Sequence, residues 1–198
     1  MEEKYTVDEP KKKKKKKLGD PKKGVSDMFR TSYRTHLDLS SIADNKSNMM
    51  ISINGIIISI IIASLSPKID SNPWLSLPTA LFLISCVSSL IYAVKAARPR
   101  VSKEPVSLED VRMNKANILF FGNYHNMKRD DYVLGMEELM VDSVRLYDTM
   151  ARDLYGLGQV LAKKYRLLQI SYDLFMYGLI ASVISFLIVF ANVNLNLF

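Results

Sequence analysis

Long apolar runs alternate with polar, charge-rich ones along this chain, and three apolar runs dominate: residues 49–65, 74–94 and 174–193. Each carries few or no charges and approaches the roughly 20 residues that a bilayer-spanning helix requires. Hydrocarbon offers no water to backbone N–H and C=O groups, so a segment of this kind satisfies them internally, as a helix. The pattern predicts three transmembrane helices.

The polar stretches are patterned too. From Asp130 onward, Val133, Met136, Met140, Val144, Tyr147, Ala151, Leu154, Gly158, Leu161, Tyr165, Leu168, Tyr172 and Phe175 recur at steps of three and four. That is one apolar stripe of helical period. It contains no proline and enters the third run without a break, which predicts a single helix over 130–193. At 1.5 Å per residue its length is roughly 95 Å, far more than a bilayer needs, so its first part is expected to stand in water as a stalk. A long stripe in water needs a partner. Residues 26–48 are the natural one: Ser26 or Asp27 can cap a helix that runs without proline into the first span.

Between the spans, Pro99 and Pro105 stop the second helix. Ser107 with Asp110 has capping-box spacing and predicts a short helix to about Lys115. The apolar run Asn117-Ile-Leu-Phe-Phe-Gly-Asn-Tyr124 fits a short strand or an ordered loop, between which periodicity does not choose. The fold class expected is therefore an all-α membrane protein. Its first and third transmembrane helices continue into a cytoplasmic helical stalk formed by residues 26–48 and 95–169.

Charge supplies the orientation. Of 27 Lys and Arg, thirteen lie in residues 1–48, thirteen in 95–169, and Lys68 alone in the loop between the first two spans. Basic residues collect on the cytoplasmic side. The N-terminus and stalk are expected inside, the short loop and the C-terminus outside, with Trp74 as an interface anchor. Residues 1–25, with the run Lys11–Lys17 among Pro and Gly, read as a disordered polybasic tail. It suits anionic inner-leaflet lipid or a solvated topology signal. A nucleic-acid arm is disfavoured, because aromatics to stack bases are missing. The first span lies too far from the N-terminus for a cleavable signal peptide. The lone Cys86 falls inside the second span and excludes an internal disulfide.

Candidate chemistry is sparse. His36 and His125 lie far apart, and neither stands in a metal-ligand or catalytic spacing. No P-loop or dinucleotide fingerprint occurs. The adjacent acidic pairs Glu109-Asp110, Asp130-Asp131 and Glu137-Glu138 suit helix starts and solvent faces, so no enzyme, metal or cofactor is expected. Aromatic and basic residues do mix in the stalk. Lys115, Phe120, Phe121, Tyr124 and Arg129 lie near the loop; Tyr147, Tyr155 and Lys164 lie on the long helix. Aromatic faces that stack a base and cations that hold a phosphate suit a nucleotide, although the same residues would serve as stalk core and solvated edge. Inside the spans, Gly55 and Ser59, and Gly178 and Ser182, form small-residue steps of four that let helices approach closely. Asn54 is an amide in an apolar run that calls for a hydrogen bond across a helix interface. These five residues are candidates for static packing or for a pore.

The sequence resembles the transmembrane effector domain of bacterial Pycsar antiphage systems over roughly residues 28–193. The resemblance rests on the stretch 37–54 around Ala43-Asp-Asn-Lys46, on Asn117-Ile-Leu-Phe-Phe-Gly122 and on Asp131-Tyr132. It extends over the run from Asp142 through Tyr147, Asp153, Leu154, Tyr155 and Lys164-Tyr165 to Tyr172 and Phe175. It implies an effector in the bacterial inner membrane; the sequence departs from relatives that carry a soluble phosphohydrolase domain ahead of the membrane part, where it has the basic tail. A cyclic pyrimidine mononucleotide, cyclic UMP or cyclic CMP, is the implied activator. The implied outcome is abortive infection through damage to the membrane by a homo-oligomer. A membrane-anchored scaffold that docks a cytoplasmic partner and forms no pore is the alternative.

Overall fold

The computed structural model of the chain describes residues 21–69, 73–99 and 105–195. Every element in them is helical: α1 (Pro21–Ile69), a 3-10 turn (Pro73–Leu75), α2 (Ser76–Ala97), α3 (Leu108–Arg112), α4 (Phe121–Tyr124), α5 (Arg129–Val141) and α6 (Ser143–Leu195). The polybasic run Lys11–Lys17 lies outside the described residues. Helix α1 starts at Pro21, ahead of the cap expected at Ser26 or Asp27.

Among the described residues three helical segments, one each from α1, α2 and α6, are long and apolar enough to cross a membrane. Helix α2 runs antiparallel to both others. The large apolar side chains of these segments are mostly exposed, Ile56, Ile60, Ile84, Leu187 and Ile188 among them. That is the arrangement expected of surfaces that meet lipid rather than water. Trp74, in the turn between α1 and α2, is 72 % exposed, as an interface anchor should be.

Helix α1 carries its inward positions at Phe29, Tyr33, His36, Ser40, Ala43, Ser47, Met50 and Asn54, all buried or half-buried. The steps alternate four and three, the 3.5-residue period of helices packed side by side over a long distance. Helix α6 answers in parallel with Met150, Asp153, Leu157, Val160, Lys164, Leu168 and Ser171. The expected pairing of residues 26–48 with the long stalk helix is therefore present. Phe29 stacks on Tyr147 at 6.0 Å, and Lys164, whose side chain is 13 % exposed, pairs with Asp44 at 2.6 and 2.8 Å. Where the pair enters the apolar zone, Met50, Ala93, Ala96 and Leu168 close a core with α2.

The 130–193 segment is not one helix. Asp142 breaks it, with φ −105° and ψ 96°. Its Oδ1 accepts hydrogen bonds from the backbone N–H groups of Val144 (3.0 Å) and Arg145 (3.1 Å), capping the start of α6. Apolar periodicity runs straight through this point, but an Asp side chain satisfies the first N–H groups of a new helix better than it sits inside an old one. The split separates the stripe: Leu139 and Met136 enter a core with Val111 and Ile118, while Met140, Val141 and Val144 remain exposed. From Ser143 to Leu195, α6 is unbroken, roughly 80 Å at 1.5 Å per residue.

The connection from α2 to α6 folds into a small helical cap. Ser107 and Asp110 form the capping box reciprocally, Ser107 N–H to Asp110 Oδ2 at 3.1 Å and Asp110 N–H to Ser107 Oγ at 3.2 Å. Arg112 and Glu138 join α3 to α5 by an ion pair. The run 117–124 is not a strand: residues 117–120 form an ordered turn, with the Phe120 N–H bonded to the Asn117 carbonyl at 3.3 Å, that leads into the single helical turn α4.

Gly178 marks a close crossing, because a Cβ there would overlap the Ser85 side chain of α2. Gly55 has open space where its Cβ would be. Gly178→Leu is expected to cost about 1–3 kcal/mol by overpacking, read as a lower thermal unfolding midpoint in detergent. Gly55→Ala should be neutral, or stabilising by up to about 1 kcal/mol through helix propensity alone.

Candidate functional site

Two residues past the end of α3, Asn114 takes the left-handed conformation (φ 56°). Asn tolerates it better than other residues with a side chain. The chain then turns so that residues 115–118 lie along α6. Asn117 fastens this segment. Its Oδ1 accepts from the Leu119 N–H (2.9 Å), and its Nδ2 donates to the Thr149 carbonyl (3.2 Å) and to Asp153 Oδ1 (3.4 Å). Asn123 Nδ2 returns to the Asn117 carbonyl at 3.0 Å.

The fastening leaves a cleft on each side of Asn117. The larger, about 510 Å³, is walled by Val111, Asn114, Lys115, Ile118, Leu139, Arg145, Thr149, Arg152 and Tyr155. The smaller, about 300 Å³, is walled by Phe120, Asn123, Asp153, Gly156 and Val160. Lys115, Asn117 and Arg152 border both. Lys115, Arg145 and Arg152 thus set three cations around the larger cleft, with the Tyr155 ring beside them. Arg145 donates to the Val111 carbonyl at 3.3 Å. Arg152 donates to Asp148 at 2.8 Å in an exposed pair, a type worth little in water and open to competition from another anion. Among the described residues no group of three His, Cys, Asp or Glu could hold a metal.

Asp153 ties this region to α1. It is buried and accepts the Tyr33 hydroxyl at 2.7 Å. Burial pushes its carboxyl above the ordinary carboxylate range, against the opposing pull of the Tyr33 hydrogen bond and of His36. Burial, helped by the Asp153 hydrogen bond and charge, raises the Tyr33 phenol. Burial lowers the His36 imidazole; the Asp153 charge opposes that and Lys164 reinforces it. A chain of contacts therefore runs from the cleft through Asn117 and Asp153 to Tyr33.

A second polar cluster lies within the apolar zone. Asn54 Nδ2 donates to the Met50 carbonyl (2.8 Å) and to Ser89 Oγ (3.1 Å). Ser171 Oγ donates to the Ser89 carbonyl (2.8 Å), and Ser89 Oγ to the Ser171 carbonyl (2.9 Å). All three residues are fully buried, and they join α1, α2 and α6. Asn54 Oδ1 finds no protein partner there. Ser182 Oγ donates to the Pro78 carbonyl at 3.1 Å, so Ser182 and Gly178 pack α6 on α2. Ser59 is exposed, bonded to its own helix at the Gly55 carbonyl.

Residues 27–191 match the Pycsar effector protein domain. The chain belongs to the Pycsar effector family. No curated protein and no solved structure matches it. As a Pycsar effector it is an antiphage defence protein of the membrane, in a class activated by cyclic nucleotides and generally non-enzymatic.

The candidate ligand residues of this Pycsar effector fall in several places. Lys115 and Tyr155 border the larger cleft, and Lys115 and Phe120 the smaller one. Phe121 stacks with His125 and meets Tyr124 edge-on at the outside of the cap, and Arg129 is exposed at the start of α5. Tyr147 belongs to the α1–α6 seam, as does Lys164, held by Asp44 and Ser40. Arg145 and Arg152 are not among the candidates that the sequence offers, whereas Asn117 opens the run quoted for the family resemblance. The two arginines are seven residues apart, hence on one face of α6 with Thr149 between them, and that spacing was the available signal.

Asp153 gives a testable pH dependence. Its carboxyl keeps a proton to higher pH in the folded chain than in the unfolded one, so its contribution to stability falls as pH climbs from the ordinary carboxylate range through the raised value. Asp153→Asn removes this contribution while leaving an oxygen for Tyr33. As pH rises from about 4, the thermal midpoint of the parent chain is expected to fall relative to that of Asp153→Asn. His36 has the opposite slope, and since the Asp153 charge opposes its lowering, that slope is steeper in the variant, which adds to the same relative fall.

Proposed function

We propose that a cyclic pyrimidine mononucleotide, cyclic UMP or cyclic CMP, binds the larger cleft and drives this effector, as a homo-oligomer, to impair the inner membrane. The charge pattern of the chain supports a topology with the N-terminus and stalk in the cytoplasm and the C-terminus outside. The cleft's volume of about 510 Å³ suits a ligand of nucleotide size. Lys115, Arg145 and Arg152 hold the cyclic phosphate, and the Tyr155 ring stacks on the base. The observation that carries the reading is the contact chain from this cleft to the opposite helix, Asn117 to Asp153 to Tyr33. A ligand that prefers one arrangement of the 115–117 segment alters how α1 meets α6, and unbroken α6 carries the change to the buried Asn54, Ser89 and Ser171. Parting these polar groups opens the bundle to water.

The exposed apolar elbow of Met140, Val141 and Val144, with Val141 89 % exposed, favours a second reading. In it the chain is a scaffold that docks another protein at this point and makes no pore.

Liposomes loaded with dye and carrying the purified chain separate the two. Under the first reading, cyclic UMP or cyclic CMP releases dye, and the ligand raises the thermal midpoint by mass action, about 2.7 kcal/mol at a hundredfold excess over Kd. Arg145→Ala and Arg152→Ala should each weaken binding roughly tenfold to a hundredfold, as loss of a hydrogen bond to a charged group does. Correctly inserted protein that neither leaks nor shifts with any cyclic mononucleotide overturns direct gating. A stable cross-linked foreign protein without leakage favours the scaffold.

A further inference from the structure

Helix α1 carries a second seam. Asp38, Ser41, Asn45, Asn48, Ser52, Gly55 and Ser59 follow one another at alternating steps of three and four, the same 3.5-residue period as the face bound by α6. Every position is polar or glycine, over a length of roughly 30 Å. All but the half-exposed Gly55 are exposed, on the side of α1 turned away from α2 and α6. Asn45, Asn48 and Ser52 make no side-chain hydrogen bond among the described residues, and a Cβ on Gly55 would meet nothing within 4 Å. A shallow groove of about 430 Å³ along this face is walled by Asn45, Asn48, Met49, Ser52 and Ile53, all from α1 itself, so no other described element covers it.

Within a bilayer this face is anomalous. Its upper half, Ser52 to Ser59, lies in the helix segment that spans hydrocarbon, with Asn48 at its edge; Ser59 Oγ is bonded within its own helix at the Gly55 carbonyl, but the Ser52 hydroxyl has no partner among the described residues, and a hydroxyl without one is costly there. Lipid chains do not hydrogen-bond to it. A strongly basic segment such as 11–17 does not enter hydrocarbon at acceptable cost. Another copy of the same face answers every requirement. Asn carries donor and acceptor together, as does Ser; a helix of the same period interlocks at the same spacing; and Gly55 lets two backbones approach. Copies related by a closed symmetry axis bring identical patches together without leaving an unsatisfied edge.

We propose that the Asn48–Ser52–Gly55–Ser59 face of α1 is the surface through which a second copy of this chain packs inside the membrane, extended into water by Asp38, Ser41 and Asn45. It is separate from the intrachain cluster at Asn54, which faces α2 and α6. The proposal rests on the placement of α1 in the bilayer given above and not on the leak itself.

Site-specific cross-linking of the full chain in vesicles of phosphatidylethanolamine and phosphatidylglycerol tests this. In a Cys86→Ala background, Ser52→Cys and Ser59→Cys should give a covalent dimer on mild oxidation several-fold faster than Ile84→Cys on α2 or Ile180→Cys on α6, both exposed at comparable depth. Ser52→Leu combined with Ser59→Cys should slow that dimer several-fold, with the thermal midpoint in detergent unchanged. Equal yields at all positions, dimers from α2 or α6 alone, or a Ser52→Leu chain that cross-links as fast as its parent would each overturn the proposal. The readout needs no nucleotide. Nucleotide-driven leakage without α1 cross-links overturns this surface and leaves the membrane-impairing function standing; α1 cross-links without leakage do the reverse.

Discussion

A buried amide in hydrocarbon has no water to fall back on, so its hydrogen bonds must come from a neighbouring helix. Asn54 meets it with its amide nitrogen, which donates to Ser89 of α2 as well as to the Met50 carbonyl of its own helix, and the rest of the bundle is arranged around that bond. By bonding to Ser89, which bonds reciprocally with Ser171, it fixes the depth of α1 against α2 and of α2 against α6. Apolar packing alone would do this poorly, since Ile against Ile is nearly as good one residue up or down and lipid competes on equal terms. The close approach at Gly178 and Ser85 then follows, because α2 and α6 are already held at the right height for a residue without a side chain to meet one with a short side chain. Polar groups in this bundle give little net stability, but they decide its register.

The same logic continues below the membrane in a different dielectric. Along the α1–α6 seam, positions that usually hold Leu or Ile hold Tyr33, His36, Ser40 and Asp44 on one side and Asp153 and Lys164 on the other. Such a seam is specific and not very strong. Removing one partner of a buried polar pair leaves the other desolvated and unpaired, so the arrangement is all-or-none over short distances. That suits the role proposed for the stalk, stable in one arrangement and able to reach another. The cap has an apolar core of its own, Val111, Ile118 and Leu139, and Asn117 ties it to α6 through Thr149 and Asp153.

Much of this architecture is legible in the sequence, for reasons that differ by element. The three spans are readable because length and hydropathy report the solvent directly. The helix after Ser107 is readable because a capping box is a local hydrogen-bond pattern, and the α1–α6 pairing because both stripes share a period. The break at Asp142 is hidden: a single side chain makes it, and the apolar pattern on either side carries on as though the helix continued. The run 117–124 is ambiguous because its conformation is dictated by Asn117 reaching Thr149 and Asp153, more than thirty residues away. The cleft was half legible. Lys115, Phe120 and Tyr155 stand out as basic or aromatic, whereas Arg145 and Arg152 look like ordinary solvated charges until α6 turns them toward the α3 end of the cap. The small-residue steps on α1 and α6 read alike in sequence and differ in space, Gly178 being buried against α2 and Gly55 lying open.

Two of the contacts between the long helices have the same offset. Tyr33 meets Asp153, and Asp44 meets Lys164, each 120 residues apart in the chain. Two parallel rods that keep one offset over several turns rise at the same rate and cannot slip past each other without losing every such pair at once. A piston stroke along the bundle axis breaks both pairs together, and so does a turn of either rod about its own axis, because each carries the seam residues out of contact. Over the stretch from Tyr33 to Asp44, α1 and α6 are thereby coupled as a single pair of rods.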